Sequence, residues 1–204
     1  MRRYGIVVLL LWLIALGPTA AQQQPQQQPP PNNGFGELRP LTDADKLPPF
    51  SMEYFVGQWN FEWDVPEGVL GSAGTITGSE TYKKVADGYY ISEIKATGPD
   101  GPFTGQSMQT WGADGKFSAR YETTNNGVSA LMAGRIGSEA HQYAIYYESA
   151  PFTLKGKTIR LKKTITLTSP GSYRVSARIS VDGGPYENYG SPWYRKEIAS
   201  PPKR

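Results

Sequence analysis

From Trp59 to Val181 the chain repeats itself every two residues and hardly anywhere at helical spacing. In FVGQWNFEWDV, large apolar residues (Trp59, Phe61, Trp63, Val65) alternate with Asn60, Glu62 and Asp64. In TIRLKKTITLT, Ile159, Leu161, Ile165 and Leu167 share a parity that only Lys163 interrupts, while Arg160, Lys162, Thr164 and Thr166 take the other. In SYRVSARISV, Tyr173, Val175, Ala177, Ile179 and Val181 alternate with Arg174, Ser176 and Arg178. A two-residue period with one apolar face marks antiparallel strands that are wet on one side.

Turn formers punctuate these runs at Asp87-Gly88, Pro99-Asp100-Gly101, Asp114-Gly115, Asn126-Gly127, Gly137, 151–156, Pro170-Gly171 and Asp182-Gly183. Each connection is too short for a crossover helix, so the strands form a meander. The sole helical candidate is PFSMEYFVG, enough for one or two turns before Gly57. With no helix to cover its apolar face, the sheet must curl onto itself, and closure also removes both exposed edges. The expected fold is all-β: a single up-and-down antiparallel barrel of about eight to ten strands.

The ends of the chain read differently. Arg2 and Arg3, the apolar run at 6–16 and Thr19-Ala20-Ala21 have the layout of a secretory signal peptide over 1–21, and the run is short for a membrane span. Residues 22–49, opening QQQPQQQPPP, read as a disordered Gln/Pro-rich tether, 50–198 as the barrel domain, and 199–204 as a flexible tail. The expected location is outside the cytoplasm, in a bacterial periplasm, with which the absence of any Asn-x-Ser/Thr acceptor agrees. The chain has no cysteine, so stability must come from burial and backbone pairing. Of 21 basic residues, 19 remain without Arg2 and Arg3, against 18 acidic ones, and no basic stripe exists to grip phosphate. Nucleic acid is therefore not an expected partner, nor is stable membrane insertion.

Gly57-Gln58-Trp59, at the start of the first strand after a short helical turn, resembles the signature of the lipocalin or calycin superfamily. The resemblance implies that Trp59 closes one end of the barrel and that an arginine on the last strand packs across its ring. Arg195, in SPWYRKE, stands at the matching place, and a guanidinium over an indole gains cation–π attraction. The DGYY turn at 87–90 and the PFTG segment at 102–105 are similar to those of an uncharacterised bacterial family of secreted lipocalin-like domains, over about residues 50–197. That family has no settled activity to lend.

Residues 50–198 hold 12 tyrosines but only 5 leucines. Tyrosine brings a ring and a hydroxyl that needs a partner, where leucine fills dry cores. If the barrel is lined by Phe61, Trp63, Tyr89, Trp111, Tyr121, Met132, His141 and Tyr143, it offers ring faces to a small apolar or aromatic guest. The bland alternative is that rings simply fill a small barrel, or sit on half-exposed strand faces. His141 is the single histidine; without a second one or a cysteine, a protein-built zinc site is not expected, and no cofactor is called for. GQSMQ lacks the second glycine of a nucleophile elbow. Glu93, sharing parity with Tyr89 and Ile91, is the inward carboxylate candidate, and with His141 defines an enzyme alternative. Because Arg120 and Tyr121 are adjacent, one must face out, and no interior anion trap is expected. The third alternative is an envelope interaction module acting through its outer face, which requires a contiguous exposed apolar patch.

Overall fold

The computed structural model describes residues 50–112, 115–139 and 142–197. The signal peptide, tether and tail read from the sequence, and His141, lie outside the described residues.

A 3-10 turn at Met52–Phe55 leads into β1 (Gly57–Val65), with Ser51 capping it by accepting from the Glu53 amide at 3.2 Å. Five hairpin-linked strands follow: β2 (Gly74–Ala86), β3 (Tyr89–Gly98), β4 (Gly101–Trp111), β5 (Phe117–Thr124) and β6 (Ser129–Glu139). Then come β7 (Gln142–Ser149), the short β8 (Phe152–Leu154), β9 (Lys157–Ser169), β10 (Ser172–Val181), the two-residue β11 (Glu187–Asn188) and β12 (Trp193–Lys196).

Strands β1 to β7 pair in sequence order, β7 pairs with β9, β9 with β10, β10 with β12, and β12 returns to β1. Ten antiparallel strands thus form a closed barrel with no free edge, and β8 and β11 are short additions beside β9 and β10. Closure is the physical answer to a sheet with one apolar face and no helix to cover it. At Gly78 a Cβ would collide with the β3 backbone at Lys95 and Ala96. The missing side chain lets β2 and β3 bend tightly there.

One parity of each strand points inward. Trp59, Phe61 and Val65 of β1, Ile159, Leu161 and Ile165 of β9, and Tyr173, Val175, Ala177 and Ile179 of β10 are buried. Fully burying such a side chain is worth about 1.5–3 kcal/mol, and with no disulfide these residues are the main source of stability. At one end the Trp59 indole, 0% exposed, is the stopper. It donates from Nε1 to the Phe55 carbonyl at 2.6 Å and packs against Tyr54 and Tyr173, with ring centroids 5.3 and 4.8 Å away. The Tyr54 hydroxyl ties the 3-10 turn to the β9–β10 corner, lying 2.7 and 2.6 Å from the carbonyl oxygens of Ser169 and Ser172.

Candidate functional site

The barrel interior falls into three zones: the ring-packed end around Trp59, an ionic centre, and a mouth at the far ends of β1 and β10.

The partner of Trp59 is not Arg195. Along β12, Tyr194 is buried and Arg195 is exposed, so the residue after it turns back inward. Lys196 lies directly across from Trp59 in the β1–β12 pairing, with Nζ 5.2 Å from the ring centroid. The ammonium also donates to the Tyr54 carbonyl at 3.2 Å. A lysine one position further on performs the task expected of the arginine, because strict alternation puts Arg195 outside.

The middle of the barrel holds an ionic centre. Arg120, 4% exposed, points inward, and its guanidinium donates to Glu122 at 2.9 Å, Glu80 at 3.0 Å and the Tyr82 hydroxyl at 3.1 Å. Lys163 completes the set, donating to the other oxygen of Glu122 at 2.6 Å. Ser92 donates to Glu80 at 2.6 Å and is bonded in turn to Ser107 at 2.7 Å. Two cations face two anions, so the network is electrically balanced and leaves no spare charge for an anionic guest. Burial pushes the Glu122 carboxyl up, but Lys163 and Arg120 outweigh it and bring it down to about 2. Burial likewise raises the Tyr82 and Tyr173 hydroxyls, so both stay protonated. Among the described residues the buried Tyr173 hydroxyl makes no hydrogen bond of good geometry, although the Tyr82 hydroxyl lies near it.

Consequently Tyr121, the neighbour of Arg120, faces solvent at 43% exposure, as does Tyr89 at 49%. Neither lines the interior. Tyr90 occupies the inward place on β3, and Glu93 is exposed on the outer face together with Tyr89. An interior Glu93 acting as acid or base is therefore excluded. Phe61 is inside but stacked on Tyr194, with centroids 4.9 Å apart, and Met132 is fully buried. Trp111 and Tyr143 sit at the Trp59 end, half-buried and clasping Phe50 at 4.9 and 5.3 Å.

What remains open is the mouth. Trp63 is half-buried there, its Nε1 donating to the Tyr189 carbonyl at 2.9 Å and its ring edge-on to Tyr189 at 5.4 Å. Gly190, with φ +100°, permits this approach, since a Cβ would strike the Trp63 indole. A cavity of about 180 Å³ is lined by Val65, Leu70, Ile76, Phe103 and Tyr189, with Asp100, Asn125 and Asn126 at its rim. A further void of about 30 Å³ lies deeper, beside Trp63, Val128, Leu161 and Lys163. Leu70, Ile76, Phe103, Asn126 and Tyr189 border both spaces.

Leu70 belongs to the β1–β2 loop, residues 66–73, which folds over the mouth and buries it to 6% exposure. The loop is held by a few polar ties. Asn126 donates to the Leu70 carbonyl at 2.9 Å, and the Ser72 amide donates to Asp100 at 2.9 Å. The Ala73 amide donates to Glu67 at 2.8 Å. Asp100 is held below the usual carboxylate range by the Ser72 amide, and burial pushes the Tyr189 hydroxyl up to about 12. Of these mouth residues the sequence singled out Trp63 alone as a ligand contact, because the others come from separate stretches of chain that only the closed barrel gathers.

Among the described residues no group of three metal-ligating side chains occurs, and no helix is long and apolar enough to cross a membrane.

No protein-family model and no curated protein matches the sequence. Solved structures match in fold. The M. tuberculosis protein Rv2717c superposes with a TM-score of 0.60 at 8% identity, covering 71% of this chain and 94% of that one. At that identity the likeness shows a common barrel fold. A redesigned barrel, mFAP1, bound to DFHBI, covers 71% of this chain and 96% of its own at 14% identity, with a TM-score of 0.40. A de novo designed fluorescence-activating β-barrel covers 71% and 95% at 16% identity, with a TM-score of 0.31. Those two scores are too low to bear on function.

Proposed function

We propose that this protein is an exported, lipocalin-like carrier that holds a small, uncharged aromatic or apolar molecule in the mouth of its barrel. The observation that carries this reading is the cavity of about 180 Å³ at the mouth, with Val65, Leu70, Ile76, Phe103 and Tyr189 on its apolar side and Ser72, Asp100, Asn125 and Asn126 on its polar side. A volume on the order of 150 Å³ is large enough for a benzene-sized guest. The charged groups nearby are already engaged, Lys163 by Glu122 and Asp100 by Ser72, which disfavours an ionic ligand. The filled centre directs the guest to the mouth and away from the middle of the barrel. Export rests on the Arg2–Ala21 segment, with its basic start and apolar run.

Titration of the protein with indole and with p-xylene, followed through methyl NMR signals, tests this. Saturable shifts of Leu70 and Ile76 are expected, with the Trp63 indole signal moving in step. Leu70→Trp, which fills the space, should abolish the Ile76 and Trp63 shifts while leaving the fold intact. Absence of saturable shifts up to probe solubility, or shifts equally strong in Leu70→Trp, would overturn the assignment.

A further inference from the structure

The outer face of β3–β6 inverts the usual rule for a solvated sheet. Met108 is 49% exposed, Tyr121 43% and Leu131 57%, and they stand side by side. The pairing register runs Ile91–Met108–Tyr121–Leu131 across four strands in one unbroken row. A second row, Tyr89–Thr110–Ala119–Ala133, lies beside it. A third ends in Phe117, 61% exposed, and Arg135, and begins at the β2–β3 turn with Asp87, whose fully exposed carboxylate is paired with Lys84 at 3.0 Å on one oxygen. Strand β5 shows the cause: its inward positions are taken by Ser118, which is bonded to Tyr147, and by Arg120 and Glu122 of the ionic centre, so its rings are displaced outward. Contiguous exposed apolar surface of this kind marks a contact site.

We infer that this face binds a second copy of the same chain, through a two-fold axis lying in the contact plane between β4 and β5 and parallel to them. The choice of occupant follows from self-complementarity. Such an axis lays each row on its own reverse. Ile91 then meets the second copy's Leu131, and Met108 meets its Tyr121, a thioether against an aromatic ring. In the second row, the large Tyr89 meets the small Ala133, and Thr110 meets Ala119. In the third, Asp87 meets Arg135, opposite charges at both ends of the contact. The polar row Glu93–Gln106–Thr123–Ser129 beyond them opposes no like charges either. Apolar faces apolar in the first row, the largest residue faces a small one in the second and plus faces minus in the third, a coincidence that an unrelated partner would not require.

Three interstrand gaps of about 4.8 Å and two row spacings of about 7 Å, with side-chain margins, cover on the order of 400 Å² per copy. That is the low end of specific interfaces, so the dimer is weak and reversible.

Sedimentation velocity of the purified protein across roughly 1 µM to 1 mM, the range expected for so small an interface, tests the inference through a charge swap. Wild type should pass from monomer to dimer with rising concentration. Asp87→Arg and Arg135→Asp should each weaken dimerisation at least tenfold, since like charges are then opposed. The double variant should restore it to within about threefold of wild type, which only a direct Asp87–Arg135 contact between copies would do. Leu131→Glu should leave a monomer with an unchanged melting temperature, because Leu131 faces outward. A monomer at every concentration, or single variants that dimerise like wild type, would overturn the proposal. Neither result bears on the mouth, so the carrier reading stands or falls separately.

Discussion

Lys196 stands over the Trp59 indole, Nζ 5.2 Å from the ring centroid, while its neighbour Arg195 is turned to solvent. The ammonium gains the ring's cation–π attraction and also satisfies the Tyr54 carbonyl, and both contacts seal the same end of the barrel. A position that family resemblance assigns to arginine is filled by whichever cation the strand's alternation aims inward.

Lys196→Ala should therefore cost more than Arg195→Ala. Losing a half-buried cation–π contact and a hydrogen bond amounts to about 1–2 kcal/mol, or several degrees in Tm for a domain of this size. Arg195→Ala should stay within about 0.5 kcal/mol, as an outer-face change does. Thermal melts of the two variants side by side decide it, and an equal or larger loss in Arg195→Ala would reassign the partner.

The Glu122 carboxyl ties stability to pH. Its value falls from an ordinary 4.5 to about 2 on folding, so the stabilisation is complete above about pH 4.5. It is lost as pH drops from there towards 2, and amounts to on the order of 3 kcal/mol. Lys163→Met removes the nearer cation, burial then raises the carboxyl, and acid unfolding should begin about 1 pH unit higher or more. Near-UV circular dichroism against pH measures the midpoint; an unmoved midpoint would mean that Arg120 alone holds Glu122 ionised.

Tyr173 and Tyr147 make a contrasting pair. Among the described residues the buried Tyr173 hydroxyl makes no well-formed hydrogen bond although its ring stacks on Tyr194 at 4.5 Å, whereas the Tyr147 hydroxyl is bonded to Ser118 at 2.7 Å. Tyr173→Phe removes a hydroxyl with no well-formed hydrogen bond and should be neutral or stabilising by up to about 1 kcal/mol, while Tyr147→Phe should cost about 1 kcal/mol or more. Urea unfolding of both variants reads the difference, and a clear loss in Tyr173→Phe would show that its hydroxyl has a partner.

Much of this architecture was written in the alternation of single strands. The inward rows of β9 and β10 and closure into a barrel follow from apolar periodicity and the lack of a covering helix; the short turn before Gly57 is legible in PFSMEYFVG, and the Trp59 stopper is what the lipocalin resemblance implies. Lys163 was also a legible clue, a charge in an otherwise apolar row, though its partner Glu122 sits far back in the chain on β5.

The choice of inner face where both parities carry rings or both carry polar groups was decided by the assembled barrel. On β3, Tyr89 and Tyr90 are chemically the same, and only register with β2 and β4 turns Tyr90 inward. On β5 the usual rule inverts, because the desolvation cost of burying Arg120 is offset only once Glu80 from β2 and Glu122 are brought within 3.0 Å. The mouth has the same origin, drawing Leu70, Phe103 and Tyr189 from three separate stretches of chain. A period of two says which residues share a face; which face is inside depends on partners far away in the chain, and distance in sequence carries no such information.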